Sequence, residues 1–169
     1  FLHDKRYTGL DCSEKLEQVR AEMKKNKVNG YVMTELAGIA WLFNIRANDI
    51  AYNPMATAYA YITETEAYLC INQTRMPQEV IDFLQTQGVC VKDYEAIESI
   101  LKDIKETSYV LCQEDTINYY LYQLLEQNPV VKIVAGSDIV MALKAVKNPV
   151  EIANIVEAHI KDGCALAQF

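Results

Sequence analysis

Histidine, glycine and proline are scarce in this 169-residue sequence: two, six and four residues respectively. His3 and His159 stand near opposite ends of the chain, and a metal centre needs several nitrogen, sulfur or carboxylate ligands converging from different elements. Glu157, His159 and Asp162 share a helical surface by their spacing, and without further ligands that surface reads as solvated or turned toward another domain. None of the patterns G-x-x-x-x-G-K-[ST], G-x-G-x-x-G, G-x-S-x-G or H-E-x-x-H occurs, so no phosphate-cradling loop, nucleophile elbow or helical zinc site is indicated. The five cysteines, Cys12, Cys70, Cys90, Cys112 and Cys164, are odd in number and include no C-x-x-C pair. Neither a disulfide framework nor a zinc knuckle follows. Cys70, Cys90 and Cys112 lie in apolar, strand-like runs, where a thiol behaves as a small hydrophobe.

Positive charge is also short. Sixteen Lys and Arg against 23 Asp and Glu give a net charge of -7 with no basic stripe, which argues against a nucleic-acid partner. The longest apolar run, Leu36 to Phe43, is far below the roughly 20 residues of a membrane-spanning helix. The first residues, FLHDKRYTG, carry no signal-like apolar region, so a cytoplasmic protein is the expectation.

What the chain has is apolar content, 51% of it, enough at this length for a self-supporting core. Leu16, Val19 and Met23 predict a helix over 11–25 with Asp11 and Glu14 as a capping pair, broken by Asn29-Gly30. Tyr31–Met33 follows as a buried strand. Thr57–Thr63 and Glu66–Ile71 predict an antiparallel hairpin, although Glu64-Thr65 lacks Gly or Asn. Pro77 opens a helix with Val80, Phe83 and Leu84 on one face and Gly88 as its stop. Val89–Val91 is a strand, and Ile97, Ile100, Leu101 and Ile104 form a helical face. Tyr109–Cys112 is a strand, and Ile117 to Leu125 is a helix capped by Asp115 and ended by Asn128-Pro129. Val130–Val134 is the last strand, and Ser137 caps a helix through Val146. Such alternation after a hairpin predicts an α/β domain with a mixed sheet covered by helices.

Asn148-Pro149-Val150-Glu151 is a strong helix start, with an N-cap Asn, Pro at the first helical position and a capping Glu. Its helix runs to Phe169 without a stop signal, which predicts a natural chain that continues and a domain boundary near Lys147-Asn148.

The stretch TELAGIAWLFNIRANDIAYNP, Thr34 to Pro54, admits two readings. In one, a short helix packs Leu36, Ile39, Ala40 and Phe43 into the core, and Arg46 pairs with Asp49 in a polar loop. In the other, the Trp41 edge, the Asn44 amide and the Arg46 guanidinium present a surface to a peptide or a neighbouring domain.

The run IAWLFNIRANDIAYNP with the strand TAYAYIT resembles the signature of the three-domain Xaa-Pro aminopeptidase family. YTGLDCSEKLEQVRAEM is similar to the entrance helix of that family's middle domain, and AVKNPVEIANIVEAHIKDGCALAQF to the linker and first helix of its catalytic domain. The resemblance implies a ribonuclease H-like mixed sheet flanked by helices, the creatinase/prolidase N-terminal type, over 12–146. It further implies a linker from a preceding domain at 1–11, and a linker plus the truncated first helix of a "pita-bread" catalytic domain at 147–169. In the family the catalytic domain holds two divalent metals, usually manganese, through two Asp, one His and two Glu, and a metal-activated hydroxide attacks the carbonyl preceding proline. Those ligands would lie beyond Phe169, so the chain by itself is expected to be inactive.

Two departures stand out: Ala37-Gly38 replace an acidic position, and Ala47 replaces a Gly after the Arg. On this reading the chain is the non-catalytic domain of a bacterial-type parent whose substrates are peptides with proline in the second position. It would pack on its own catalytic domain and shape substrate access or homodimer contacts. Trp41, Asn44, Arg46, Asp49, Tyr52 and Asn53 are the candidate entrance or interdomain residues. The alternatives are a stand-alone binding module that reuses the fold, and a self-sufficient hydrolase using a cysteine or His159.

Overall fold

The strand β1, Gly30–Met33, is the hinge of a six-stranded sheet in the computed structural model, which describes residues 1–169. On one side it pairs antiparallel with β2 (Ala58–Thr63), which turns back into β3 (Ala67–Ile71), and β3 pairs parallel with β4 (Cys90–Lys92). On the other side it pairs parallel with β5 (Ser108–Cys112), beyond which lies β6 (Val131–Ala135), giving the order β4-β3-β2-β1-β5-β6. The hairpin closes without Gly or Asn because the Thr63 hydroxyl accepts from the backbone N–H of Glu66 at 2.9 Å, a side chain standing in for a backbone turn bond.

Strand alternation divides the core in two. Tyr31, Met33, Ala60, Ile62 and Leu69 face the larger cluster. That face is covered by α2 (Cys12–Lys25), α3 (Leu36–Leu42), α4 (Gln78–Thr86) and α7 (Ile139–Ala145). Val32, Tyr61, Cys70 and Val110 face the smaller one, under α5 (Ala96–Lys102) and α6 (Tyr119–Gln127).

The capping box of Asp11 and Glu14 starts α2 as expected. Its end comes earlier than Asn29-Gly30: Asn26 caps it and Lys27 takes φ 57°, while Gly30 opens β1. A Cβ on Gly30 would lie 2.7 Å from the Tyr61 hydroxyl, so the glycine is there for close packing rather than for a turn. In α4, Val80 and Leu84 are buried, but Ile81 and not Phe83 completes the inward face, and Phe83 is exposed. Ile104 lies past the end of α5, though it still packs on the smaller cluster.

The caps of α6 and α7 also differ from expectation. Asn118 rather than Asp115 caps α6, accepting from Leu121 N at 2.9 Å, so Ile117 precedes the helix and Tyr120 faces out. Asp138 rather than Ser137 caps α7, accepting from Met141 N at 2.7 Å. The chain opens with α1 (Lys5–Thr8) and closes with α8 (Pro149–Gln168). As its sequence dictates, α8 starts with Pro149 behind an Asn148–Glu151 capping box, and it buries none of its residues.

Candidate functional site

Glu35 begins α3 by accepting from the N–H groups of Ala37 and Gly38. The helix buries Ile39, Ala40, Trp41 and Leu42 and is followed by buried Phe43. Asn44 then adopts φ 52°, a left-handed turn that Asn tolerates better than most residues. This turn sends the chain back along its own N-terminal segment: His3 N donates to Asn44 O at 2.7 Å, Leu2 bridges to Ile45, and Arg46 N donates to Phe1 O at 2.9 Å. Residues 1–11 are therefore docked on the body and include a helical turn.

The side chain of Asn44 is buried and bonded on both ends. Its Oδ1 accepts from Lys15 Nζ at 2.7 Å and its Nδ2 donates to Leu10 O at 2.8 Å. Lys15 itself is fully buried; it also donates to Trp41 O at 2.7 Å and lies 4.1 Å from the centre of the Trp41 ring. These contacts favour the ammonium form, yet no carboxylate touches it. Burial pulls its pKa down to about 8, against an upward pull from Glu151. Trp41 Nε1 donates to Glu151 Oε1 at 2.8 Å, and the other oxygen of Glu151 accepts from Asn148 N at 2.9 Å. Asn148 Nδ2 donates to Thr8 O at 2.8 Å, and Asn154 Nδ2 to Arg6 O at 3.0 Å. The first two turns of α8 are thus fastened to α1 and α3 by side-chain hydrogen bonds.

Arg46 does not pair with Asp49. Its Nη1 donates to Ala40 O and Ile45 O, each at 2.8 Å, and burial lowers its pKa. Asp49 instead pairs with Arg75 at 2.9 Å and accepts from Thr57 N at 2.9 Å, bracing the loop. Tyr52, at φ 62°, is fully exposed, and Asn53 is exposed beside it. The six candidates therefore divide. Trp41, Asn44 and Arg46 turn inward as fastenings, while Tyr52 and Asn53, propped by Asp49, face out.

Lys15 and Glu151 are not among the residues that the sequence marks as a site. Lys15 did leave a signal, because it stands among Cys12, Leu16, Val19 and Met23 on the buried stripe of α2, where a lysine needs an acceptor. Glu151 carried only its capping signal.

The remaining chemistry-bearing groups offer little. Burial pushes the thiols of Cys12 and Cys70 up to about 12 and that of Cys112 to about 11, far from the thiolate a nucleophile requires. His159 is exposed on α8. No group of three or more His, Cys, Asp or Glu residues is placed to hold a metal ion. No helix is long and apolar enough to cross a membrane. Two cavities flank the fastened end of α8: one of about 750 Å³ between α2, α7 and the start of α8, and one of about 570 Å³ reaching from His3 and Tyr7 to Lys161.

Residues 1–151 match the family model of the creatinase/prolidase N-terminal domain. Among curated relatives, a probable Xaa-Pro aminopeptidase P of Podospora anserina is 36% identical over 100% of this chain and 26% of its own length. One of Phaeosphaeria nodorum is 34% identical over 96% of this chain and 26% of its own. The chain thus spans about a quarter of the length of these relatives. Among solved structures, an X-prolyl aminopeptidase of Caenorhabditis elegans, described as a cytosolic enzyme with a di-nuclear active site, superposes with a TM-score of 0.89. It is 27% identical, over 99% of this chain and 28% of that one. A prolidase of Pyrococcus horikoshii OT3, 18% identical with a TM-score of 0.60 over 91% of this chain and 42% of that one, shares the fold. The mixed six-stranded sheet with its flanking helices is the fold that the resemblance implies.

Proposed function

The chain belongs to the creatinase/prolidase N-terminal domain family, and from that premise we propose that it is the non-catalytic domain of a metal-dependent Xaa-Pro aminopeptidase. Residues 12–146 form the body, with 1–11 strapped across it, and 147–169 lead into the catalytic domain. The observation that carries this reading is the state of α8. Its N-terminal turns are held to the body by Glu151, Asn148 and Asn154, yet Ile152, Val156, Ile160 and Leu166 are all exposed along it. An apolar helix held in one direction and covered by nothing needs another body to bury it. A catalytic domain packed on that helix would be oriented by the same fastenings.

Two divalent ions, manganese by family habit, would belong to that domain. The residues present here do not fit such a pair, since no cluster of His, Cys, Asp and Glu converges. The substrate would be a peptide with proline in the second position. Tyr52 and Asn53, on the loop braced by the Asp49–Arg75 pair, are the residues positioned to meet it or a second copy of the chain. A cytoplasmic setting completes the proposal, supported by the description of the nematode enzyme as cytosolic.

The test is release of arginine from an Arg-Pro-Pro peptide by the full polypeptide that carries this chain, with manganese and after its removal by chelation. Metal-dependent release supports the reading. A Tyr52→Ala change is expected to raise KM while leaving the stability of the body unchanged. No release from any Xaa-Pro peptide would reject the assignment.

A further inference from the structure

The cavity of about 570 Å³ is lined by Lys15, Arg46, Lys144, Lys147 and Lys161 against only Glu151 and Glu157. In a chain of net charge -7, such a gathering of cations is against the trend of the whole surface. The two carboxylates do little to cancel it. Glu157 is engaged with Lys161 at 2.7 Å, and the oxygens of Glu151 are taken by Trp41 Nε1 and Asn148 N.

The other four cations have no carboxylate partner. Lys15 and Arg46 donate hydrogen bonds to neutral acceptors, and Lys147 Nζ reaches only Ala145 O at 3.1 Å. Like charges around one cavity repel and raise its potential, and a bound anion relieves that cost. The field is felt by His3 on the same wall, whose pKa is lowered first by burial and next by Arg46 and Lys15.

Size narrows the ligand. A cavity of about 570 Å³ falls among small-molecule sites of about 300–1,000 Å³ and is roomy for a lone orthophosphate. Lysine ammonium groups are mobile point charges that accept oxyanions in many orientations, unlike the fixed fork of arginine. We propose that this cleft between α1, the C-terminal end of α3 and α8 binds a small molecule carrying two or more oxyanion groups, carboxylate or phosphate. The site does not depend on the peptidase reading, because every residue that builds it is in this chain.

Trp41 is the sole tryptophan and lines the cleft, so its fluorescence reports on occupancy directly. The experiment titrates the 169-residue chain with pyrophosphate and with citrate at constant ionic strength, with sodium chloride as the control. A saturable change in Trp41 emission with either polyanion, absent with chloride, is expected. It should weaken roughly tenfold or more in Lys144→Ala/Lys147→Ala and persist in Lys144→Arg/Lys147→Arg. Saturation by citrate alone identifies a polycarboxylate, and by pyrophosphate alone a phosphorylated ligand; either outcome supports the site. A response to neither polyanion, or saturation unchanged in the alanine double variant, overturns the proposal. Failure here leaves the Arg-Pro-Pro assay untouched, so the two readings fall separately.

Discussion

Replacing Asn44 by alanine decides whether this residue is a fastening or a surface. The side chain removed supplies Oδ1 to the buried ammonium of Lys15 at 2.7 Å and Nδ2 to Leu10 O at 2.8 Å. Losing an acceptor for a buried charge costs about 1.5–3 kcal/mol, and losing one of the two bonds to Leu10 O, which keeps the Thr8 hydroxyl as a donor at 2.9 Å, about 0.5 kcal/mol more. Alanine must also take the left-handed φ of 52°, which adds about 1 kcal/mol over asparagine. The expected loss is about 4 kcal/mol, a fall of about 2 M in the urea midpoint at an m of about 2 kcal/mol/M. Asn44→Asp keeps an acceptor for Lys15 and should lose about half as much. Lys15→Met in the Asn44→Ala background should recover part of the loss, since it removes the stranded charge. A midpoint shift under about 0.3 M for Asn44→Ala would refute the reasoning and return Asn44 to the role of a solvent-facing contact.

Lys15, pulled by burial from 10.5 to about 8, binds fewer protons folded than unfolded between those values. Stability should therefore rise with pH there, wild type gaining about 2 kcal/mol over Lys15→Met between pH 7.5 and 9.5. Comparing the two proteins by urea unfolding cancels the opposite trend from Cys12 and Cys70, whose raised thiol pKa values erode stability above pH 9; parallel profiles would disprove the burial of a charged Lys15. Glu151→Ala removes the acceptor of Trp41 Nε1 and of Asn148 N, and is expected to cost about 1–2 kcal/mol and to shift Trp41 emission to the red. An unchanged spectrum would deny the link between α3 and α8. Gly9→Ala places a Cβ 2.5 Å from Asn148 Oδ1, at φ 71°. A loss of about 2 kcal/mol is expected, with faster amide exchange at Val150 and Glu151; exchange as slow as in wild type would contradict it.

Local signals were legible and distant ones were not. The capping boxes of α2 and α8 and the hairpin strands depend on residues within a few positions of each other, and they stand where the sequence puts them. The caps of α6 and α7 went to Asn118 and Asp138 instead of nearby Asp115 and Ser137, because several residues there can cap and packing of the helix selects among them. Phe83 fits the helical period as well as Ile81 does, and only the position of the sheet beneath α4 separates them. The candidate loop was legible in its apolar half but not in its polar half. The partners of Asn44 and Trp41, Lys15 and Glu151, lie 29 and 110 residues away in sequence. No local pattern joins such residues, and the inward turn of Asn44 depends on a backbone angle that composition does not reveal.

The proposed metal-dependent chemistry would lie outside these 169 residues, and a calorimetric titration of the purified chain with manganese tests that most directly. The expected result is no binding stronger than the millimolar association of scattered surface carboxylates. Two ions held at micromolar concentration by this chain would contradict it.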